Sequence, residues 1–481
     1  MDSGDFRRFG YELVDWIADY LDHAERYPVL SRSSPGQTKE GLPAEPPMQG
    51  ERMEDILADF REIIVPGITH WQHPRFFAYF PATTSGPSIL GELLSAGLGV
   101  NAMLWQTSPA ATELEEVVMD WLRSLLGLPE AFRGVIQDTA STATLCALIC
   151  ARERATDFRI SERGIPGWAG EPALRLYTST EGHSSVEKGA RIAGFGSEHV
   201  VTVRTDEDNA MNPENLRRCI EEDRSNGLHP CCVVATVGTT SSTAIDPLGP
   251  IGVIAENYGL WLHVDAALAG SAAILPEKRW ILDGVEKADS FVFNPHKWLF
   301  TNFDCSAFYC RHPDILTSAL SIQPEYLKTG QDCRVVNFRD WGIQLGRRFR
   351  SLKLWFVLRY YGVEGLQERL REHIGLAAGF ASWIERSADF ELMAPVPLNT
   401  VCFRYRPVGA TLPEEELEAM NRELMDDVNR SGRIYITHTR LRGTFCLRLS
   451  IGQMRTDLDD VKMAWEVLQQ SDVVETRRRE R

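Results

Sequence analysis

The stretch Leu260-Trp261-Leu262-His263-Val264-Asp265-Ala266-Ala267 is typical of a short apolar strand that ends in an acid and two small residues. From about Ile136 onward, similar β-rich runs alternate with helical ones, at residues 174–178, 200–203, 232–237, 260–264 and 290–293. Strands that alternate with crossover helices predict an α/β fold with a mostly parallel central sheet. Because such sheets bind ligands at the carboxyl ends of their strands, we expect the functional residues there.

The N-terminal part of the chain differs from this pattern. Four apolar residues recur at helical spacing within residues 6–21: Leu13, Val14, Ile17 and Leu21. A second helical stretch covers residues 52–64, and the link at 31–50 is too poor in apolar residues to predict an element. Two short helices cannot form a core alone, so we expect them to pack on another domain or another subunit.

The C-terminal part returns to long helices beyond about residue 351, followed by strands at 399–405 and 443–450. A chain of 481 residues exceeds what one hydrophobic core usually organises, so several units are expected. We predict an N-terminal helical segment at residues 1–80, a large domain at 81–360 and a small C-terminal α+β domain at 361–481.

Composition argues against several classes of partner. The formal net charge of −16 opposes nucleic-acid binding, which needs a surplus of Lys and Arg. The sequence shows no signal peptide and no apolar run long enough to span a bilayer, so no membrane partner is expected. The ten cysteines have no CxxC or Cys/His spacing, which predicts no metal site and the reduced thiols of a cytoplasmic protein.

The segment Asn294-Pro295-His296-Lys297-Trp298 follows an apolar strand directly. A lysine in such a place is often a surface residue. Here the flanking His296 and Trp298 lie where the strand ends, which is where a Schiff-base lysine meets an aldehyde cofactor. Lys297 is therefore a candidate catalytic residue.

Asp265 ends the neighbouring strand, where an acid commonly caps a helix. It has a functional role if a protonated pyridine nitrogen lies opposite, because the ion pair keeps the ring able to accept electrons. The small Ala266, Ala267 and Gly270 are expected to leave room for a flat ring.

Residues 138–144 bring hydroxyls to the start of an apolar helix predicted at 145–151. They predict either a capping cluster or a phosphate cradle that uses the helix dipole and free backbone N–H groups. No GxGxxG or Walker loop is present, so a nucleotide is not indicated. His183 follows another predicted strand, where a neutral imidazole is either structural or stacks on a pyridine face.

Together these segments resemble the group II pyridoxal-phosphate decarboxylases, specifically the aromatic L-amino acid decarboxylases that act on DOPA, tyrosine or tryptophan. The resemblance runs from Phe9 to about Trp465. Three further stretches carry it: residues 73–81 (HPRFFAYFP), 108–115 (SPAATELE) and 346–353 (GRRFRSLK).

The resemblance implies a type I aminotransferase-like fold, pyridoxal 5'-phosphate as the cofactor, and a homodimer with active sites at the interface. The N-terminal segment would wrap around the partner subunit, and the large domain would bind the cofactor. Lys297 would bind the cofactor aldehyde, and Asp265 would pair with its ring nitrogen. The remaining cofactor-binding residues implied are His183 and Ala267 on the ring faces, Ala140, Ser141 and Asn294 at the phosphate, Thr240 near the ring, and His296 beside the lysine.

The substrate side chain would lie in an aromatic pocket. By resemblance its residues are Tyr79, Phe80 and Pro81, with Val100 and Met103 of the partner subunit, and Gly346 at a position where Gly accompanies a roomy pocket. Relatives often carry an aromatic residue in place of Met103 and Thr in place of Ala82, so the preferred aromatic amino acid is left open. Gly346 favours tryptophan-like or broad specificity, although it is also compatible with a simple helix start.

Tyr326 matches the loop tyrosine that donates a proton after carbon dioxide leaves. Relatives with Phe at this place produce aldehydes, so Tyr326 favours an amine product. The sequence thus predicts a decarboxylase, with an aromatic aldehyde synthase or a catalytically silent pyridoxal-binding dimer as alternatives. A glutamate decarboxylase is disfavoured, because a carboxylate side chain would need a basic group where Tyr79 and Phe80 stand.

Overall fold

The computed structural model describes residues 1–322, 324–327, 330–331, 334–409 and 412–479, with only the backbone of Pro166 and Tyr326. The chain begins with helices α1 (Ser3–Asp22), α2 (Gln37–Gly41), α3 (Met53–Asp59) and α4 (Val65–Gly67), with a 3-10 turn at Ala24–Arg26 and a π-helical turn at Phe60–Ile64. The two predicted N-terminal helices are therefore present.

Helix α2 lies in the link for which we predicted no element, so that prediction was wrong. Gly36 supplies a left-handed backbone (φ +94°) immediately before the helix. The amide of Ser34 donates to Gln37 Oε1 at 3.1 Å. The left-handed turn at Gly36 and the Ser34–Gln37 hydrogen bond, rather than the spacing of apolar residues, therefore determine where this helix begins.

In the described part of the chain, seven strands form the larger sheet: β1 (Arg133–Gln137), β2 (Leu174–Ser179), β3 (Val200–Val203), β4 (His229–Thr236), β5 (Trp261–Asp265), β6 (Ser290–Phe293) and β7 (Ser306–Cys310). Their order is β1-β7-β6-β5-β4-β2-β3. Neighbours from β3 to β6 pair in parallel, and β7 runs antiparallel to both β6 and β1. The predicted α/β fold with a mostly parallel sheet is confirmed.

Helices cover this sheet and connect its strands. They are α5 (Gly86–Leu98), α6 (Pro109–Leu126), α7 (Ala140–Thr156), α8 (Arg159–Arg163), α9 (Ser184–Ile192), α10 (Pro213–Ser225), α11 (Leu248–Tyr258), α12 (Pro295–Trp298), α13 (Pro313–Leu320) and α14 (Arg350–Arg386). Short 3-10 turns lie at Ile165–Trp168, Ser197–His199, Ala269–Ile274, Pro276–Leu282, Val285–Lys287, Glu325–Leu327 and Phe338–Asp340. The apolar residues of β4 to β6 are buried on both faces, as a covered parallel sheet requires.

Helix α7 begins five residues earlier than the helix predicted at 145–151. Thr139 is its N-cap, and its Oγ1 accepts a hydrogen bond from the amide of Thr142 at 3.4 Å. Some of the polar residues that we expected to precede the helix therefore form its first turn.

Helix α14 leads into the small C-terminal domain and is kinked at Gly362, whose φ of +64° is outside the helical region. The strands there are β8 (Phe390–Leu392), β9 (Thr400–Tyr405), β10 (Thr437–Leu441) and β11 (Thr444–Ser450), and they form an antiparallel sheet in the order β10-β11-β9-β8. Helices α15 (Glu414–Arg430), α16 (Leu458–Gln469) and α17 (Asp472–Arg479) complete the unit. The predicted C-terminal α+β domain is confirmed, whereas the exact domain boundaries stay a prediction. Within the described ranges, no helix has the length and apolar character needed to cross a membrane.

A buried ion pair joins the start of α14 to the large sheet. Arg347 Nη2 donates to Glu115 Oε1 at 2.6 Å and to the carbonyl of Ile136 at 2.9 Å. The same Glu115 oxygen accepts from the amide of Ile136 at 2.8 Å. The side chains of Arg347 and Glu115 are only 6% and 1% exposed, so water cannot replace either partner.

Glu115→Ala is expected to lower the free energy of unfolding by roughly 3–5 kcal/mol, because it leaves the Arg347 guanidinium buried without its counter-charge. Urea unfolding followed by circular dichroism measures the difference. The control is Glu277→Ala, which removes an exposed ion pair with Arg371 and should cost at most about 1 kcal/mol. Equal losses in the two variants would contradict this role for the buried pair.

Candidate active site

The carboxyl ends of five strands open into one cavity of about 180 Å³. Its lining residues are Phe80, Thr139, Ala140, Ser141, His183, Thr236, Gly238, Thr240, Asp265, Ala267, Asn294, His296, Lys297 and Phe303. Apart from Phe80 and Phe303, each of these residues either ends one of the strands β1, β2, β4, β5 and β6 or lies in the segment that directly follows it. The cavity therefore has the position that an open α/β sheet gives to its ligand.

Lys297 lies in the single turn α12, whose backbone is closed by the bond from the amide of Lys297 to the carbonyl of Asn294 at 2.9 Å. Its Nζ is 5.1 Å from the centre of the Phe80 ring. Burial lowers the pKa of Lys297, and the charge of Asp265 partly opposes this shift. A lysine with a lowered pKa carries more of the uncharged amine, which is the form that attacks a carbonyl carbon.

Asp265 closes β5 and accepts a hydrogen bond on Oδ1 from the amide of Ala267 at 3.0 Å. Of the three small residues expected to make room for a ring, only Ala267 lines the cavity. Ala266 is buried in the core. Gly270 instead packs against the sheet, because a Cβ there would lie 2.3 Å from Phe293 Cβ. The expectation for Ala266 and Gly270 was wrong.

His183 is the N-cap of α9, and its Nδ1 accepts from the amide of Ser185 at 3.1 Å. Burial lowers the pKa of His183, although the charge of Asp265 acts in the opposite direction. The ring is thus neutral at pH 7, and because Nδ1 is an acceptor its proton lies on Nε2. A neutral imidazole beside the cavity suits stacking on a flat ring.

Both the ring and the backbone of His296 are fixed by hydrogen bonds. Its Nδ1 accepts from the amide of Cys305 at 2.9 Å, and its carbonyl accepts from the amide of Thr83 at 3.0 Å. Burial lowers the pKa of His296 to about 3, with a further contribution from Lys297. The ring lies 4.4 Å from that of Phe303 at the mouth of the cavity. His296 is therefore a neutral residue that fixes the backbone next to Lys297.

The N-terminus of α7 supplies the polar end of the cavity. Ala140 and Ser141 occupy its first turn, where backbone N–H groups have no partner within the helix. Asn294 also lines the cavity, and its Oδ1 accepts from Ser306 Oγ at 2.7 Å. Free amides at a helix N-terminus favour an anion such as a phosphate group.

These groups fit a phosphorylated pyridine aldehyde. The amine of Lys297 suits the aldehyde, the carboxylate of Asp265 suits a protonated ring nitrogen, and the start of α7 suits the phosphate. Thr236 supports the fit, because its Oγ1 is buried at the cavity and has no hydrogen-bond partner among the described residues. Within the same residues, no group of three His, Cys, Asp or Glu side chains is arranged to hold a metal ion.

Several predicted substrate-binding residues do not line this cavity. Tyr79 precedes Phe80 but is 52% exposed, and Pro81 packs against Gly452, where a Cβ would lie 2.4 Å from Pro81 Cγ. Val100, Met103 and Gly346 lie close to one another and do not line the cavity.

The segment that carries Val100 and Met103 is bonded to the one that carries Gly346. The amide of Ala102 donates to the carbonyl of Arg347 at 2.9 Å, and the amide of Arg347 donates to Asn101 Oδ1 at 3.0 Å. Neither segment contributes to the cavity of the same chain. The predicted proton donor Tyr326 has a described backbone in the 3-10 turn Glu325–Leu327, but its side chain lies outside the described residues.

Thr139 belongs to the predicted hydroxyl cluster, whereas three other cavity residues were not predicted from the sequence: Thr236, Gly238 and Phe303. Thr236 ends a strand and Gly238 follows it, so the rule that ligands bind at strand ends could have identified them. Phe303 lies between α12 and β7, and no sequence signal indicates that it lines the cavity.

Comparisons with known proteins agree with this geometry. The family model described as "Pyridoxal-dependent decarboxylase conserved domain" matches residues 35–406. A phenylacetaldehyde synthase of Arabidopsis thaliana is 46% identical over 98% of this chain and 96% of its own length. Tyrosine decarboxylase 4 of Petroselinum crispum is 44% identical over 98% of this chain and 93% of its own length.

Solved structures give the same result. The Oryza sativa TDC, solved with PLP and tryptamine, superposes with a TM-score of 0.95 at 38% identity over 99% of both chains. The Catharanthus roseus tryptophan decarboxylase, solved in complex with L-tryptophan, superposes with a TM-score of 0.92 at 40% identity, also over 99% of both chains. With a matching family model, full-length relatives and a cavity that fits the cofactor, the chain belongs to the family of pyridoxal-dependent decarboxylases.

Proposed function

We propose that the protein decarboxylates an aromatic L-amino acid to the corresponding amine and carbon dioxide, with pyridoxal 5'-phosphate as its cofactor. The observation that carries this proposal is the convergence of Lys297, Asp265 and His183 on one cavity beside the N-terminus of α7. Phe80 adds an aromatic wall next to the lysine. The candidate substrates are tryptophan, 5-hydroxytryptophan, DOPA, tyrosine and phenylalanine.

When bound, pyridoxal phosphate supplies an electron-poor ring that accepts the electron pair left by carbon dioxide. Lys297 would hold the cofactor at its aldehyde. Asp265 would keep a proton on the ring nitrogen, so that the ring would stay positive. His183 and Ala267 would hold the ring from its two faces.

We propose the remaining cofactor contacts from the other residues that line the cavity. Ala140, Ser141 and Asn294 would hold the phosphate with helix N–H groups and a side-chain amide. Thr240 would lie near the ring. His296, uncharged and fixed by Cys305, holds Lys297 in place without adding a second positive charge.

Lys297→Ala is expected to reduce amine formation by at least about 10³-fold, because no other residue takes the place of the amine that binds the aldehyde. Amine and carbon dioxide are quantified together with the cofactor absorbance of the purified protein. The matched control is Lys287→Ala, a lysine that pairs with Glu256 on the surface, and it should retain wild-type activity. Undiminished turnover by the Lys297 variant would refute the assignment.

We infer that the working unit is a homodimer, and the surface of α5 supports this. Four of its leucines are each about half exposed: Leu90, Leu93, Leu94 and Leu98. Such an apolar surface is typical of a contact between subunits. Val100 and Met103 directly follow α5 and do not line the cavity of their own chain, so a second copy can use them in its substrate pocket.

In the proposed pocket, Tyr79, Phe80 and Pro81 of one chain meet Val100, Met103 and Gly346 of the partner subunit around the aromatic side chain, because Gly346 lies beside the Val100–Met103 segment of its own chain. Leu94→Glu is expected to convert the dimer to a monomer and to reduce kcat/KM by at least about tenfold, because a buried carboxylate opposes association. Sedimentation equilibrium and amine assays measure the two effects.

The matched control is Val253→Glu, which places the same charge on a half-exposed apolar residue of α11. It should leave both the mass and the activity unchanged. A fully active monomer of the wild-type chain would contradict the dimer.

We propose Tyr326 as the general acid that protonates the substrate carbon after decarboxylation. A second function, oxidative conversion to an aldehyde, is favoured by one specific observation: a relative of 46% identity is named phenylacetaldehyde synthase. The tyrosine at position 326 argues for the amine, because a proton donor there would complete the reaction before dioxygen reacts.

Tyr326→Phe is expected to lower amine formation at least about 10²-fold and to raise aldehyde, ammonia and peroxide, because the proton donor is gone. Each product is quantified from the same reaction. If the wild-type chain already forms one peroxide per carbon dioxide, the protein is an aldehyde synthase, and Tyr326 is not the general acid that determines the product.

We further propose domain boundaries near residues 80 and 360, with residues 1–80 wrapping the partner subunit. The kink at Gly362 supports the second boundary, because a bend in α14 lets the small domain turn away from the large one. We also propose a cytoplasmic location. All nine cysteines in the described ranges are free thiols, which is typical of a reducing compartment.

A further inference from the structure

Arg448 is a buried cation in the middle of β11, and it is only 3% exposed. Its Nη1 donates to the carbonyl of Tyr79 at 2.5 Å, and its Nε donates to the carbonyl of Ser241 at 3.0 Å. Its Nη2 is buried without a hydrogen-bond partner among the described residues. Arg448 thus binds two segments that are far apart in sequence, and it does not itself line the cavity.

The first of these segments carries Phe80. Tyr79 has a φ of +51°, a left-handed backbone that a non-glycine residue adopts rarely and at a cost. This conformation leaves the Tyr79 ring 52% exposed while Phe80 is buried. The bond from Arg448 to the Tyr79 carbonyl therefore holds the chain at the residue where its direction changes.

The Phe80 ring lies close to two cations. The Arg448 guanidinium carbon is 4.6 Å from the ring centre, and Lys297 Nζ is 5.1 Å from it. Both distances are within the range of a cation–π contact. The ring therefore connects a residue of the small domain to the lysine of the cavity.

The second segment carries Thr240, which lines the cavity next to Ser241. The carbonyl of Ser241 accepts a hydrogen bond from Arg448, and the Oγ of Ser241 accepts one from Thr439 Oγ1 at 3.0 Å. Cys402 on β9 also points its thiol to the Ser241 carbonyl at 3.1 Å. The small antiparallel sheet thus fixes a cavity loop of the large domain.

We propose that Arg448 is a positioning residue of the active site, which holds the Phe80 ring against the amine of Lys297 by binding the carbonyls of Tyr79 and Ser241. It acts through Phe80 and Thr240 and does not itself line the cavity. The inference rests on the proposed role of Lys297 in binding the cofactor aldehyde.

A second effect of Arg448 is electrostatic. Burial lowers the pKa of Arg448 to about 10, so the guanidinium is still charged at neutral pH. The pKa of Lys297 is lowered first by burial and further by Arg448, while Asp265 raises it. His183 and His296, which line the cavity together with Lys297, are neutral because burial lowers the pKa of each.

The test uses the rate at which the full-length apoprotein takes up pyridoxal phosphate, measured as a function of pH by the change in cofactor absorbance. Uptake needs the uncharged amine of Lys297. Because the two cations lie 4.6 and 5.1 Å from one ring centre, they are at most about 10 Å apart. Arg448→Met, which removes the charge and both bonds, should shift the midpoint of uptake upward by about one pH unit.

Arg448→Lys separates charge from geometry. It keeps the positive charge, so its midpoint should stay within about 0.3 pH units of wild type. It lacks the planar fork that binds two carbonyls, so KM for an aromatic amino acid should rise about 3- to 10-fold with a smaller change in kcat. If Arg448→Met does not fold, Arg448→Gln gives the same upward shift.

The matched control is Arg404→Met on the adjacent strand β9, where Arg404 pairs with Glu391 and Glu414 away from the cavity. Its midpoint should equal that of wild type. The proposal is overturned if neutral variants of Arg448 leave the midpoint unchanged, or if Arg404→Met shifts it equally. Uptake is measured without an amino acid, so a failure of the proposed decarboxylation would be visible separately.

Discussion

Parallel pairing of β4, β5 and β6 brings residues from distant parts of the chain to one edge of the sheet. In this register Thr236 is opposite Asp265, and Asp265 is opposite Val292, the residue before the end of β6. The segments that follow must therefore emerge side by side, and they carry Ala267 and Lys297 into the same cavity. Because the ladder fixes this register, the acid and the lysine cannot move apart without breaking the core of the sheet.

Burial has a chemical consequence as well as a structural one. It lowers the pKa of Lys297 and of both histidines beside it, which reduces the positive charge that competes for Asp265. A protonated pyridine nitrogen then becomes the natural partner of that carboxylate. The cavity thus provides an amine with a lowered pKa for an aldehyde and a negative charge for a ring nitrogen.

Much of this arrangement could be predicted from the sequence, because its signals are local. Lys297 and Asp265 each follow a short apolar run, and strand ends in a parallel sheet are where ligands bind. Arg448 was missed, although a single charged residue inside the apolar run Phe445-Cys446-Leu447-Arg448-Leu449 is a signal of a buried contact. What it binds could not be predicted, because Tyr79 lies 369 positions away and Ser241 lies 207 positions away.

The substrate cannot be chosen by the same reasoning, since a methylene more or less in an apolar pocket changes selectivity by only about 1–3 kcal/mol. The central claim is tested most directly by incubating the purified, pyridoxal-phosphate-loaded protein with each aromatic amino acid, histidine and glutamate, and quantifying amine, carbon dioxide and peroxide together. The account predicts equal amounts of amine and carbon dioxide from at least one aromatic amino acid, without peroxide. Peroxide equal to carbon dioxide, or no product from any aromatic amino acid, would contradict it.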